Sequence, residues 1–380
     1  MLPNRFEKKI SKRFAIPAIL VAFLFFALII PGISSAKVTG PCVNCHTMHN
    51  SQGGTEMATY GADGKPWKTD TVQPVLLRST CLGCHGMGTG NNIENIGGSE
   101  IPQVYHTNGT DLAGGNFKYI DVDDNRGHNV NADLENIEGT LELAPGHTHG
   151  VGGSPTPAEF TCAGTGGCHG WRQHGSGISG IAAIKGAHHQ NTDGQCDGTT
   201  TAKSYRFLLG VKGFENMGAN KYQNLNATNH NEYFGTTSPT EYGCTNCHDT
   251  SGPMDMHILP LNNTISGFCA TCHSTFHVLS GIGGSTSGPF TRHPTDIVLP
   301  SSGEYAAYTT YSVEAPVGRT TVPDSISNIV TPGTDVVTCL SCHKAHASNY
   351  PDLLRWDYTT MNAGGGGSGG CFTCHTQKND

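Results

Sequence analysis

The chain has 380 residues, a formal net charge of −8 and only 36% hydrophobic residues, with 51 glycines and 20 prolines. This composition excludes a large aliphatic core built from long helices and sheets. The acidic balance disfavours a nucleic-acid partner, because a phosphate-binding surface needs a stripe of basic side chains.

The N-terminal segment has the pattern of an export signal. Basic residues between Arg5 and Arg13 precede an apolar run from Phe14 to Ile30, and Ser34–Ala36 offers small side chains for cleavage. We therefore expect a signal peptide over residues 1–36 and an exported body over 37–380, in the periplasm, on the outer cell surface or outside the cell. An uncleaved membrane anchor is the alternative, although the run is barely long enough to span a bilayer. We expect no membrane span in the mature chain.

Cysteine is unusually common, at 15 residues, and most of it follows one pattern. Two thiols three positions apart can each form a thioether to a haem vinyl group, while a histidine directly after the second reaches the iron. Six C-x-x-C-H motifs follow this pattern: Cys42/Cys45/His46, Cys81/Cys84/His85, Cys244/Cys247/His248, Cys269/Cys272/His273, Cys339/Cys342/His343 and Cys371/Cys374/His375.

Other cysteine chemistries account poorly for this pattern. Zinc sites pair one C-x-x-C with another and do not need histidine after every second cysteine. A disulfide framework would not be so regular, and thioredoxin-like chemistry uses a single motif in an α/β setting.

A seventh motif has wider spacing. Cys162 and Cys168 are separated by five residues, three of them glycine, and His169 follows. The glycines could let the loop bulge while both sulfurs face one porphyrin, which predicts a seventh haem c. A disulfide between the two thiols is the alternative. Cys196 is left over, and we expect no function for its thiol.

The 20 histidines suffice for a second protein ligand on every iron. A histidine shortly after a motif starts on the proximal side of its own porphyrin and is better placed to bind a neighbouring haem. His49, His277 and His346 are such residues, and Met48 is a thioether alternative to His49. The further candidates for distal iron ligands are His106, His128, His189 with its neighbour His188, His230 and His293.

Two protein ligands leave no open position for substrate, so this pattern favours an electron carrier over an enzyme. We find no motif ending in Cys-Lys and no nucleophile–base constellation, and we expect no catalytic residue.

The predicted fold class is a multihaem cytochrome c with a haem-filled core, mostly irregular, with short helices and few strands. Short helical turns are expected at each Cys-His, and strands at Tyr205–Leu209 and Asp296–Leu299. Folding is expected to depend on haem insertion.

Several segments resemble the OmcS-like family of exported, filament-forming outer-surface multihaem c-type cytochromes of metal-reducing bacteria. They are the segments 42–51, 126–129, 292–294, 339–348 and 371–375. The resemblance implies stacked haems with two histidine ligands each and electron delivery to other multihaem cytochromes or to acceptors outside the cell. It also implies that His49 binds a haem of the next subunit in a homopolymer.

This chain departs from the family pattern in having seven motifs instead of six and in the spacing of Cys162 and Cys168. Two other functions remain open. One is a multihaem oxidoreductase acting on a small nitrogen or sulfur compound, and the other is a monomeric electron-storage cytochrome.

Overall fold

A computed structural model gives the structure of the protein. It describes residues 81–86, 90–96, 98–130, 144–146, 160–164, 166–170, 183–184, 210–213, 223, 225–238, 264–277 and 292–379, and short strands between 51 and 66 and between 285 and 291. The chain divides into two units, Met1–Ala36 and Lys37–Asp380, and every described residue lies in the second.

The described residues are mostly irregular, which confirms the expected fold class. The α-helices among them are α1 (Leu82–His85) and α2 (Ile265–Ala270). The side-chain oxygen of Thr264 caps α2 by accepting a hydrogen bond from the Gly267 amide. Single 3-10 turns account for most other helical backbone: Phe117–Asp121, Asp124–Arg126, Ser274–His277, Gly303–Tyr305, Cys339–Ser341, Pro351–Leu353, Tyr358–Thr360 and Gly370–Thr373. Within the described ranges no helix has the length and apolarity needed to span a membrane.

The strands are short, with two to four residues each. They are β1 (Ser51–Gln52), β2 (Thr55–Glu56), β3 (Thr59–Tyr60), β4 (Lys65–Pro66), β5 (Ile93–Ile96), β6 (Ser99–Pro102), β7 (Val211–Lys212), β8 (Glu232–Phe234), β9 (Ser285–Ser287), β10 (Phe290–Thr291), β11 (Ile297–Val298), β12 (Val317–Arg319) and β13 (Val336–Val337). Eight of them form antiparallel pairs, β1–β2, β3–β4, β5–β6 and β9–β10. The predicted strand at Asp296–Leu299 is confirmed, since it contains β11, whereas Tyr205–Leu209 lies outside the described residues.

The remaining strands form one five-stranded sheet in the order β11-β13-β12-β8-β7. All neighbours are antiparallel except β12 and β8, which are parallel. A small apolar cluster packs beside the sheet: Leu299, Tyr308, Tyr311, Val317, Val330 and Val337. Its modest size agrees with the low apolar content of the chain.

A buried ionic network crosses this sheet. Arg319 on β12 donates from Nε to Oε2 of Glu232 on β8 at 2.6 Å and from Nη1 to Oδ2 of Asp335 at 2.9 Å. Burial by itself would raise the pKa of Glu232, but hydrogen bonds from His230, Arg319 and the Ser327 amide lower it overall. Burial raises the pKa of Asp335. The network thus joins β8, β12 and the turn before β13.

The segment 345–348 is held between two other parts of the chain. Its Ala347 forms bridges with Gly115 on one side and Gly127 on the other. Gly115 has φ of 96°, and a Cβ there would collide with the Ala347 carbonyl oxygen. Glycine at 115 therefore allows a backbone approach that fixes the positions of His128 and His346, which flank these contacts.

Candidate haem-binding centres

The four described C-x-x-C-H motifs share one backbone frame. In each, the amides of the second cysteine and of the histidine donate to the carbonyl of the first cysteine. The two distances are 3.1 and 2.9 Å in the motif from Cys81, 3.1 and 2.9 Å from Cys269, 3.2 and 3.1 Å from Cys339, and 3.3 and 3.0 Å from Cys371. The helical turns expected at these motifs are confirmed, and the turn brings both thiols and the imidazole into a fixed relation.

The widened motif keeps this frame in spite of its extra residues. The amides of Cys168 and His169 donate to the Cys162 carbonyl at 3.2 and 2.9 Å, as in the shorter motifs. A bridge between Ala163 and His169 and a hydrogen bond from the Gly164 amide to the His169 carbonyl, 3.0 Å, fold the insertion into a loop. The expectation of a helical turn here is wrong, because none of the described residues of this motif is helical. Within the insertion, the Gly167 amide donates to the Gly164 carbonyl at 2.9 Å in a single turn.

The cysteines of the described motifs form no disulfide with one another. They are Cys81, Cys84, Cys162, Cys168, Cys269, Cys272, Cys339, Cys342, Cys371 and Cys374. The disulfide alternative for the widened motif is therefore not found. All ten residues are half-buried.

The second cysteines of two motifs, Cys84 and Cys272, are positioned mainly through their backbone. The Cys84 amide donates to the Cys81 carbonyl at 3.1 Å, and the Cys84 carbonyl accepts from Nε2 of Gln103 at 2.9 Å. The Cys272 amide donates to the Cys269 carbonyl, also at 3.1 Å. These contacts fix the backbone of Cys84 and Cys272. The thioether bonds that the sequence predicts for their sulfur atoms stay predictions.

The imidazoles that follow the motifs are oriented by backbone carbonyl groups. Nδ1 contacts the carbonyl of Pro102 for His85 at 2.8 Å, of Pro145 for His273 at 2.7 Å, and of Asp352 for His343 at 2.7 Å. A carbonyl only accepts, so Nδ1 must carry the proton and Nε2 keeps its lone pair. That tautomer presents Nε2 as a metal ligand, the usual arrangement for ligating histidine.

Two of the predicted distal histidines have the same arrangement. Nδ1 of His128 contacts the Ala345 carbonyl at 2.7 Å, and Nδ1 of His293 contacts the Pro294 carbonyl at 2.8 Å. Sequence reasoning found the histidines but not these acceptors, since a backbone carbonyl is present at every residue and leaves no signal in the sequence.

Predicted iron ligands form three pairs of histidines with nearly equal distances between their ring centroids. Ring centroids are 6.1 Å apart for His128 and His273, 6.0 Å for His169 and His346, and 6.3 Å for His293 and His375. Two imidazoles on opposite sides of one metal, each with a metal–nitrogen bond of about 2.0 Å, have ring centroids about 6.3 Å apart. Each pair combines one histidine of a motif with one that sequence analysis predicted as distal.

Burial favours the neutral form of four of the predicted ligands, His85, His128, His343 and His346. It is the main cause of the lowered pKa of His85, His128 and His343, and it lowers the pKa of His346 to about 3. Only a neutral imidazole can bind a metal, so the environment favours the ligating form over a wide pH range. Phe117 stacks on the ring of His346, with centroids 4.8 Å apart, and restricts its rotation.

The other three described distal candidates differ in their surroundings. His106 is buried and its Nε2 has no hydrogen-bond partner, which leaves that nitrogen for iron. Nε2 of His277 instead contacts Oδ2 of Asp296 at 2.8 Å, so His277 does not present Nε2 as the paired histidines do.

His230 lies beside the buried ionic network. Its Nε2 contacts Oε1 of Glu232 at 3.2 Å, its Nδ1 contacts the Asn226 carbonyl at 3.3 Å, and its ring stacks on Tyr311 at 3.6 Å. Both ring nitrogens are engaged by protein groups. Iron binding by His230 stays a prediction, which would require its Nε2 to leave the Glu232 carboxylate.

Among the motifs that the structure describes, thiols of one motif lie close to thiols of the next. A hydrogen bond between Cys81 and Cys162 raises the pKa of Cys162 and lowers that of Cys81, and Cys269 and Cys339 form a similar pair. Cys168 is also near enough to Cys269 to raise its pKa.

The last two motifs are joined in the same way. Burial raises the pKa of Cys342 and of Cys374 to about 12. The nearby thiol of Cys371 contributes to the shift at Cys342, and the thiol of Cys342 contributes to the shift at Cys374. The described motifs thus follow one another in space in their order along the chain.

The remaining predicted site residues lie outside the described residues. These are Cys42, Cys45, His46, His49, His189, Cys244, Cys247 and His248, together with Cys196. Their roles stay predictions.

The residues present fit covalently attached haem c. The thiol pairs, the Nε2 atoms held ready by Nδ1 contacts and the ring separations are each what such a group requires.

Comparisons with known proteins agree with this class of site. Residues 332–380 match the family described as a doubled CXXCH motif. The chain is similar to C-type cytochrome OmcS of Geobacter sulfurreducens, with 26% identity over 387 aligned positions that cover 86% of this chain and 82% of the relative. The resemblance to OmcS-like cytochromes expected from the sequence is thereby confirmed.

Two solved structures also match. One is the outer membrane cytochrome S filament from Geobacter sulfurreducens, with a TM-score of 0.43, 19% identity and 85% of each chain covered. The other is a structure of the OmcS nanowires from the same organism, with a TM-score of 0.40, 18% identity and coverage of 85% of this chain and 84% of that chain.

Proposed function

We propose that this protein is an exported multihaem c-type cytochrome that carries electrons along a row of seven haems, each held by two histidines, and takes part in extracellular electron transfer. The observation that carries the proposal is the set of three histidine pairs at 6.0–6.3 Å, each joining a motif histidine to a distant one. Similarity to C-type cytochrome OmcS supports the assignment.

The protein groups have three tasks in this function. The thiols would anchor the cofactor, and the paired imidazoles would both bind its iron and so leave no place for a substrate. The backbone carbonyls hold the imidazoles in one tautomer. Haem c, when bound, supplies a one-electron Fe(III)/Fe(II) couple at each site.

Histidines from one part of the chain would serve haems attached to another part. His346 follows the motif at Cys339 but faces His169 of the widened motif, and His128 faces His273. Ligands donated between motifs hold neighbouring sites together, which suits electron exchange over short distances. No catalytic residue is part of this proposal.

The count of seven depends on the widened motif and is tested by mass. Intact mass of the purified holoprotein should correspond to seven haems, and the variant Cys162→Ser/Cys168→Ser should lose the mass of one. Cys81→Ser/Cys84→Ser is the matched control and should also lose one, and Cys269→Ser/Cys272→Ser should do the same. Equal haem content in the wild type and the Cys162 variant would show that the widened motif binds none.

Axial ligation is tested by low-temperature EPR of the oxidised protein. Two histidine ligands at each iron predict low-spin signals only. A high-spin signal in the resting protein would instead support an oxidoreductase acting on a small nitrogen or sulfur compound.

Export and assembly complete the proposal. Cleavage after residue 36 is tested by the N-terminal sequence of the secreted protein. His49 is proposed to bind a haem of the next copy in a homopolymer, so His49→Ala should abolish filaments seen by electron microscopy while most haem remains attached. Filaments that persist in this variant would rule out that role, and monomers in the wild type would favour electron storage.

A further inference from the structure

The C-terminal motif differs from the described motifs of His85, His273 and His343 in what faces Nδ1 of its histidine. His85, His273 and His343 donate to neutral backbone carbonyls. Nδ1 of His375 lies 3.3 Å from Oε1 of Glu304, a carboxylate. The two groups are at ion-pair distance, although they lack the alignment of a direct hydrogen bond.

The backbone holds Glu304 in this position. Its carbonyl accepts hydrogen bonds from the amide of Thr376, at 3.2 Å, and from the Thr376 hydroxyl, and Thr376 directly follows His375. The Glu304 side chain is 15% exposed, and its Oε2 is buried without a hydrogen-bond partner. The ring of Tyr305 packs edge-on against His375 at 5.1 Å. Solvent therefore weakens the electrostatic interaction between the carboxylate and the imidazole only slightly.

One cation lies near the same oxygen. Nζ of Lys378 is 3.9 Å from Oε1 of Glu304, but the Lys378 side chain is 62% exposed. A solvated ammonium group at that distance offsets only part of the carboxylate charge.

We infer that Glu304 is a positioning residue that lowers the reduction potential at the C-terminal site below the potentials at the sites of His85, His273 and His343. A negative charge beside the imidazole stabilises the more positive, oxidised state of the site and so favours Fe(III) over Fe(II). The inference rests on the proposed function, because it requires iron at His375.

The consequence is a direction for electron flow. When an electron leaves the C-terminal site, the iron there would change from Fe(II) to Fe(III) and the receiving iron from Fe(III) to Fe(II). No other reactant is needed. Transfer from the His375 site to the sites of His85, His273 and His343 is therefore downhill, so this end of the row is suited to donate.

The test is a spectroscopic redox titration of the holoprotein and of Glu304→Gln. One one-electron component should move to more positive potential, with the ratio of reduced to oxidised iron at a fixed potential rising about tenfold, or 59 mV. Glu304→Asp keeps the charge and should retain most of the low potential. Lys378→Gln removes the opposing charge and should shift the same component in the negative direction.

Two controls separate this effect from a general one. Glu314→Gln removes a carboxylate that lies beside Gly369, near the same motif, and should leave the titration unchanged. In a Cys371→Ser/Cys374→Ser background the Glu304→Gln shift should disappear.

The outcomes are distinct. A full haem complement with superimposable titrations of wild type and Glu304→Gln overturns the inference and leaves the proposed function intact, as does an equal shift in Glu314→Gln. Should Glu304→Gln not fold, the sign of the Lys378→Gln shift decides the matter, and a positive or absent shift overturns the inference. Absence of haem overturns the proposed function itself.

Discussion

Replacing Arg319 with methionine should destabilise the five-stranded sheet. Arg319 is the cation shared by Glu232 and Asp335, and all three side chains are buried. The substitution keeps much of the side-chain volume but leaves two carboxylates without their partner.

The expected loss is about 4 kcal/mol of unfolding free energy at pH 7, because removing one partner of a buried ion pair typically costs about 3–5 kcal/mol. Nη2 of Arg319 also donates to the carbonyls of Ser327 and Ile329, at 3.2 and 2.8 Å. Proton uptake by the abandoned carboxylates limits the total, so the separate losses do not add in full.

Guanidinium denaturation followed by far-UV circular dichroism measures this loss. The triple variant Arg319→Met, Glu232→Gln, Asp335→Asn removes the buried charges together and should recover a large part of it. A single variant within about 1 kcal/mol of wild type would refute the reasoning, since the network would then contribute no more than an exposed pair.

Three further predictions concern the same fold and its sites. The stabilisation from Glu232 is complete above its ordinary pKa of 4.5 and is lost as the pH falls through its lowered folded value, so acid titrations of Glu232→Gln should lack this component. Gly115→Ala should destabilise the protein by about 2 kcal/mol or more, measured by chemical denaturation, because alanine is strained at positive φ and its Cβ meets Ala347; Gly109→Ala, where the added Cβ meets nothing, is the control. His346→Ala should convert the iron at His169 from low to high spin in EPR, and a spectrum that stays fully low-spin would contradict the pairing.

The distal ligands illustrate how far sequence reasoning reaches. His346 was expected to serve a neighbouring site because it follows its own motif too closely, and it faces His169. His230 satisfied the same composition argument, yet it lies in the Arg319 network. His346 has a local signal in the motif that precedes it, whereas His230 has none. The ring nitrogens of His230 contact the nearby Glu232 and Asn226, and only its stacking on Tyr311 comes from a distant segment.

The widened motif shows the opposite case. Its spacing argued for a bulge, and the glycines allow one, but only the folded chain reveals that Cys168 and His169 donate to the Cys162 carbonyl as in the shorter motifs. The missing helical turn followed from the same loop. Hydrogen bonds between the ends of an insertion depend on its closed shape, which spacing alone does not specify.

The attachment motifs and the irregular backbone were readable from the sequence, because covalent chemistry and glycine content act through residues close together in the chain. The pairing of histidines, the shared cation at Arg319 and the carboxylate beside His375 were decided by tertiary structure. Each requires groups from distant segments to meet within a few ångströms, and that proximity is set by the packing of the whole chain instead of by any local pattern.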